Sequence, residues 1–330
     1  MSATTNVFGG RRPGSGTGSG TAPRKRAKGR PVWEEQPTAA GQFGKGTVLT
    51  VVAALVIVPL WAVVVTSLSS AQTVAKAGGV LVLVPHGFTL NAYSAIFRDS
   101  TITHAVLVSV AITVIGTAFS MTISILCAYG LSRARSLGHR LFLTAMIFTM
   151  FFSGGIIPSF LVVSELRGYD QYWALIVPSS ISVFNILIMR GFYQAASGEL
   201  IDAARIDGAG EWRILWSVVL PTTKAVTAVM TLFYAVGYWG SWFNVLLYMD
   251  FDNTKWPLAY VLYQYVIQGT SIPGTAVAGG AQGAIQAANA PSTLAISMAV
   301  VVLMLIPILI IYPFIQRHFT KGMLTGAIKG

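Results

Sequence analysis

The chain predicts an all-α membrane protein that crosses the bilayer six times and keeps both its N and C termini in the cytoplasm. Three observations predict this. Of its 330 residues, 54% are hydrophobic and only 10% are charged, where a soluble domain carries about a quarter charged residues. Six apolar stretches each approach or exceed the roughly 20 residues a helix needs to span the hydrocarbon core. Finally, lysine and arginine segregate to alternate connections between those stretches.

Residues 1–45 are rich in Gly, Ser, Thr and Pro and carry a basic cluster from Arg24 to Arg30. That composition predicts a disordered cytoplasmic tail lying near anionic lipid headgroups. No folded basic domain accompanies the cluster, so the net charge of +11 reads as membrane orientation and not as nucleic-acid binding. A cleaved signal peptide is not expected, because the first apolar run starts late, is long and lacks a small-residue cleavage site.

The expected spans are 47–68, 102–131, 140–164, 171–192, 223–248 and 292–316, within a membrane domain of 46–316. Val48–Val65 and Leu294–Ile311 contain no charge at all. The second stretch is longer than one crossing needs, which allows tilt. Pro158, following Gly154 and Gly155, and Pro178 fall inside spans, where a missing N–H kinks or unwinds a helix; Pro59 and Pro307 raise the same question. Eighteen lysines and arginines lie in the N-terminal tail, the second-to-third and fourth-to-fifth connections and the C-terminal tail 317–330. Only Lys76, Arg98, Arg167 and Lys255 lie on the other side. The positive-inside rule therefore assigns the first group to the cytoplasm. The outer connection 249–291 is the longest between spans, and its part 269–290, nearly all Gly, Ala, Ser, Thr and Gln, is expected to be flexible. The single cysteine, Cys127, excludes an intrachain disulfide and a zinc cluster.

One cytoplasmic connection, 195–221, is a polar island holding Glu199, Asp202, Arg205, Asp207, Glu211 and Arg213. Ser197 can cap a first helix, with Glu199 and Asp202 near its positive end and Leu200, Ala203 and Ala204 on one face. Asp207-Gly208 supplies a stop, since glycine accepts the positive φ of a helix C-terminus. Trp212, Leu215, Trp216 and Val219 recur at i, i+3, i+4, i+7 and predict a second helix with an apolar stripe, ended by Pro221. The island is open to several readings: an amphipathic loop on the headgroups, a docking surface for a soluble partner, or a carboxylate pair, Asp202 and Asp207, for catalysis or a metal. No histidine, further carboxylate cluster or phosphate-binding loop accompanies that pair, so no catalytic and no metal residue is assigned and no ATP hydrolysis is expected of this chain.

The run Asp202-Ala-Ala-Arg-Ile-Asp-Gly-Ala209, followed by Leu220-Pro221, resembles the EAA loop of permease subunits in binding-protein-dependent ABC importers. Upstream, Met189-Arg-Gly-Phe-Tyr-Gln194 resembles the lead-in to that loop in the carbohydrate branch, akin to maltose permeases. The tail Phe319-Thr-Lys-Gly-Met-Leu-Thr-Gly-Ala-Ile-Lys-Gly330 and Ser153-Gly-Gly-Ile-Ile-Pro-Ser159 are similar to permeases for polysaccharide and oligosaccharide uptake, of the polygalacturonan or lipoprotein-associated type. Three positions depart from the pattern. Asp202 stands where the loop usually has glutamate, Leu215 where it has phenylalanine, and Lys224-Ala225 where a second proline is usual.

The resemblance implies the ABC type I importer permease fold in a bacterial cytoplasmic (inner) membrane. It also implies a second homologous permease subunit, two ATPase subunits carrying ATP and Mg, and an extracytoplasmic solute-binding protein. No cofactor is expected on this chain. Asp202, Ala203, Ala204, Asp207, Gly208, Ala209, Trp212 and Leu215 would then couple to the ATPase. Asn185, Tyr238, Trp239, Trp242 and Asn244 are candidates for a substrate pathway, being polar or aromatic groups within spans. The rival reading is an ATP-independent secondary transporter or channel, which calls for ionisable groups in the spans; their centres are nearly free of them. A non-transport scaffold is a weaker third reading.

Overall fold

A computed structural model describes residues 38–98, 100–133, 138–196, 198–250, 253–268 and 291–326. The expectations for residues 1–37, for the outer segment 269–290 and for the cap at Ser197 lie outside the described residues. The chain divides into two compact units, up to Leu55 and from Val56 onward.

The first unit is described from Thr38. Its Oγ1 accepts the N–H of Gly41 at 3.3 Å, and helix α1 (Ala39–Ser67) starts immediately. The expected disordered tail, drawn to 45, therefore overruns the helix: residues 39–45 join the apolar run because nothing among them breaks a helix beyond isolated glycines. Val48, Leu49, Val52 and Leu55 are exposed, the pattern of a helix solvated by lipid.

In the second unit the last turns of α1 are buried at Ala62, Val65, Thr66 and Ser67. The Thr66 hydroxyl accepts the N–H of Val82 at 2.8 Å, and Trp61 Nε1 donates to the Leu83 carbonyl at 3.0 Å. A short helix α2 (Ala71–Lys76), capped by Ser70, completes this outer connection. Helix α3 (Asn91–Arg98) buries Ala92 and Ile96 and leads to α4 (Ser100–Ser132). At 1.5 Å per residue its 33 residues exceed a hydrocarbon core of roughly 30 Å.

Helix α4 is the scaffold. Gly116, Ser120, Ser124 and Ala128 recur every four residues and are all buried, a small-residue stripe of the kind that lets membrane helices approach closely. It packs against α8 (Val183–Ala196) and α12 (Lys224–Trp239), and α12 packs in turn on α15 (Thr293–Gly326). Nearer its start α4 meets α14 (Leu258–Val266), whose first N–H, on Leu258, donates to Ser109 Oγ at 2.7 Å. The lipid-side residues Leu107, Val114 and Ile115 stay exposed.

All six predicted stretches fall on helices, but three are not single rods. In 140–164, α5 (His139–Phe151) and α6 (Ile156–Glu165) meet at 116°, because Gly155 takes φ +83 and Pro158 offers no N–H. Across 171–192, a single turn, α7 (Trp173–Ile176), is separated from α8 at Pro178. Across 223–248, α12 ends at Trp239 and α13 (Trp242–Tyr248) follows Gly240-Ser241. Among the described residues, α1, α4 and Thr293–Pro313 are the helices long and apolar enough to cross alone. Helix α15 then continues to Gly326, past the exit expected at 316.

Connections assigned to one side meet each other. On the outer side, Asp170 pairs with Lys255, and its N–H donates to the Tyr248 carbonyl at 2.7 Å. On the opposite side, Arg133 beyond α4 pairs with Glu211 of the polar island.

Candidate functional site

Two regions hold the predicted site residues. The first is the polar island. Helix α9 (Gly198–Ile206) closes with a Schellman motif: the Gly208 N–H donates to the Arg205 carbonyl at 3.0 Å and the Ala209 N–H to the Ala204 carbonyl at 2.9 Å. Gly208 has φ +76, the left-handed position that such a cap requires. The chain restarts at α10 (Glu211–Ile214), passes through a π-helical turn (Leu215–Val219) and ends in α11 (Leu220–Thr222). This segment meets α12 at 87°.

Burial divides the predicted coupling residues. Asp202, Ala203, Asp207, Gly208 and Trp212 are exposed. Ala204 and Ala209 are half-buried against the core, and Leu215 is fully buried. The apolar stripe expected along the second helix is thus corrected: Ile214, Leu215 and Val219 are buried, whereas Trp212 and Trp216 are each 64% exposed. Leu215 and Val219 of the expected stripe do face the core, but the buried face is completed by Ile214 and the half-buried Val218, an i, i+1, i+4, i+5 set that turns Trp212 and Trp216 outward. Ile206, 87% exposed, lies with the tryptophans among the open apolar groups of the island, and sequence reasoning passed over it because only Leu200 and the alanines fitted the expected face.

A charged cluster ties the island to α4. Tyr129 donates to Glu211 Oε2 at 2.7 Å, Arg133 bonds both groups, and Arg205 approaches Glu211 Oε1 at 3.8 Å and Asp202 Oδ1 at 3.4 Å. The Arg133 guanidinium bonded to the Glu211 carboxylate, aided by the Tyr129 hydroxyl, holds Glu211 below the usual carboxylate range. The last carbonyls of α4 are also taken: Arg190 Nε donates to Leu131 at 2.8 Å and Gln194 Nε2 to Ser132 at 3.1 Å.

The second region is a cavity of about 730 Å³ walled by the α7–α8 link, α8, α12 and α13. Asn185, Tyr238 and Asn244 line it, together with Ser179, Ser182 and Ser241. Asn244 Nδ2 donates to Ser179 Oγ at 2.9 Å. Tyr238 donates to the Ile176 carbonyl at 2.9 Å and, its one hydrogen spent, accepts from Ser120 at 2.8 Å. Tyr234 accepts the N–H of Ser182 at 3.2 Å and shares a 2.7 Å bond with Ser124. The lining offers hydroxyls, amides and the aromatic residues Phe233, Tyr234 and Tyr238, and carries no charged side chain among the described residues. Two predicted pathway residues lie elsewhere. Trp239 Nε1 donates to the Met304 carbonyl at 3.0 Å, against α15. Trp242 stacks on Tyr263 with ring centroids 4.5 Å apart. The serines escaped notice because isolated serines in a span read as helix-packing groups.

A family model described as "Binding-protein-dependent transport system inner membrane component" matches residues 120–325, which include both regions. The polygalacturonan/rhamnogalacturonan transport system permease protein YtcP of Bacillus subtilis is 43% identical over 249 residues, covering 76% of this chain and 85% of that protein. Protein LplC of the same organism is 40% identical over 281 residues, covering 84% of this chain and 91% of its own length. A solved bacterial ABC transporter involved in import of the acidic polysaccharide alginate superposes with a TM-score of 0.78 at 27% identity, covering 87% of this chain and 100% of that one.

Proposed function

Because the chain belongs to the family of inner membrane components of binding-protein-dependent transport systems, we propose that it forms half of an ATP-driven import pathway for an oligosaccharide in a bacterial cytoplasmic membrane. As a permease subunit it performs no covalent chemistry. A second, related permease supplies the other half, two separate ATPase subunits bind ATP and Mg, and a solute-binding protein delivers the sugar from outside.

The observation that carries the substrate class is the cavity. Serine and tyrosine hydroxyls, two asparagine amides and aromatic faces are the groups that exchange hydrogen bonds with, and stack against, a polyhydroxylated ring. The names of the relatives support a polysaccharide fragment.

The polar island is the docking surface for the ATPase. It exposes the apolar groups Ile206, Trp212 and Trp216 and the acceptors Asp202 and Asp207, and the Gly208 cap fixes the angle between its helices. ATP-driven closure of the ATPases would move the island, and the 87° junction with α12 carries that movement into the cavity wall. Both termini and the island then face the cytoplasm, a topology supported by the charge count and by the pairing of Arg133 with Glu211 and of Asp170 with Lys255.

Uptake of labelled oligogalacturonides and of an unrelated labelled solute in cells lacking this chain tests the reading. Loss of oligosaccharide uptake alone is expected; intact sugar uptake with loss of the other solute overturns the carbohydrate assignment.

A further inference from the structure

The island is joined to the membrane helices in three ways. Two are along the chain: a single residue separates the end of α8 from α9, and α11 runs through Thr223 into α12. The third is the cluster at the end of α4, where Glu211, the first residue of α10, is held by Tyr129 and Arg133. Tyr129 lies in the last turn of α4 and Arg133 just past its end, with the guanidinium 4.5 Å from the ring centre. Higher up, α4 and α12 are bonded to each other by Ser124 with Tyr234 and Ser120 with Tyr238, and both tyrosines line the cavity.

We propose that the Tyr129–Arg133–Glu211 cluster is a coupling latch that makes α4 travel with α12 when the island moves. This rests on the reading of the island as the ATPase docking surface. Without the latch, the island would pull only the helices it is continuous with, α8 and α12. Helix α4 would follow solely through its packing and the bonds of Arg190 and Gln194 to its last carbonyls, so that part of the displacement would be taken up as sliding between α4 and α12, across the two serine–tyrosine bonds. With it, both helices receive the same displacement, and the cavity wall moves as one body against the other half of the pathway. Arg133 and Glu211 are positioning residues in this scheme. Neither lines the cavity.

The chain lends itself to a distance measurement in the complete complex. With Cys127 replaced by serine, spin labels go on exposed positions of the two helices, Val114 on α4 and Thr231 on α12. Their separation is then compared without nucleotide and with ATP trapped on the ATPases. The latch predicts one unchanged distance in the intact chain, a shift or broadening on ATP trapping in Arg133→Gln and in Glu211→Gln, and recovery of the unchanged distance in the exchanged pair Arg133→Glu/Glu211→Arg. Tyr129→Phe, which keeps the ring and loses the hydroxyl, is expected to show a smaller shift. Distances that respond to ATP identically in the intact chain and both single variants, or an exchanged pair that behaves like the singles, overturn the latch. Failure of the intact chain to retain the ATPase subunits overturns the docking reading instead, and that is scored in the same preparation.

Discussion

The hydroxyl of Tyr238 lies 2.8 Å from that of Ser120, and the same ring rests on Gly116 so closely that a Cβ there would stand 2.9 Å from three ring atoms. One tyrosine thus reads two successive positions of the small-residue stripe on α4. Gly116→Ala is expected to destabilise the protein by about 1–3 kcal/mol through overpacking. Gly130→Ala, on the same helix with open space around it, should cost nothing comparable. Tyr238→Phe should lose about 0.6 kcal/mol for each interhelical hydrogen bond. Thermal unfolding of the detergent-solubilised protein ranks the three.

A Cβ placed on Gly208 would meet nothing within 4 Å, so backbone conformation alone decides what the position tolerates. At φ +76 a β-branched residue costs roughly 1–2 kcal/mol, while asparagine tolerates this region. Proline would also remove the N–H bonded to Arg205. Gly208→Asn is expected to retain the ATPase subunits on co-purification, and Gly208→Val and Gly208→Pro to lose them, with transport falling in step.

A carboxylate held below its ordinary value of 4.5, as Glu211 is by Arg133, adds stability while ionised and loses it as pH falls through its folded-state value. The intact chain should therefore exceed Arg133→Gln in thermal stability at neutral pH. The gap should close in the acid range below 4.5. Because the Glu211 side chain is 53% exposed, solvent screening keeps the gap small. A gap that persists unchanged through that range would mean that packing of the arginine stem, and not the ion pair, accounts for it.

Asn185→Leu and Asn244→Leu replace amide donors and acceptors in the cavity by apolar groups. Each is expected to raise the KM for oligosaccharide uptake several-fold while leaving ATP hydrolysis coupled to the binding protein. Trp239→Phe, whose indole bonds α15 outside the cavity, should lower stability and leave the KM alone. Uptake kinetics in proteoliposomes separate the two classes.

The long apolar runs and the charge asymmetry made the membrane fold legible in the sequence, and Asp207-Gly208 marked the hinge of the island because only one backbone conformation suits that glycine's role there. The breaks within spans were signalled by Gly154-Gly155-Pro158 and by Pro178, but their angles depend on what packs around them. The tryptophan stripe was half right: Leu215 and Val219 face the core, but Ile214 and Val218 complete the buried face and turn Trp212 and Trp216 outward. The Arg133–Glu211 contact joins residues 78 positions apart, and no local pattern announces such a pair. Of the predicted pathway residues, Asn185, Tyr238 and Asn244 share one cavity. Trp239 and Trp242, as polar-tipped aromatics, were indistinguishable from them by composition and face other helices.

If the chain works as proposed, an oligosaccharide passes it only when ATP is hydrolysed on partner subunits. The complete transporter, reconstituted in proteoliposomes with its binding protein and labelled oligogalacturonides, tests this by uptake with ATP, without ATP and with a non-hydrolysable analogue. Accumulation against a gradient is expected with ATP alone. Equal uptake without ATP would overturn the ATP-driven mechanism and return the chain to the class of secondary transporters or channels.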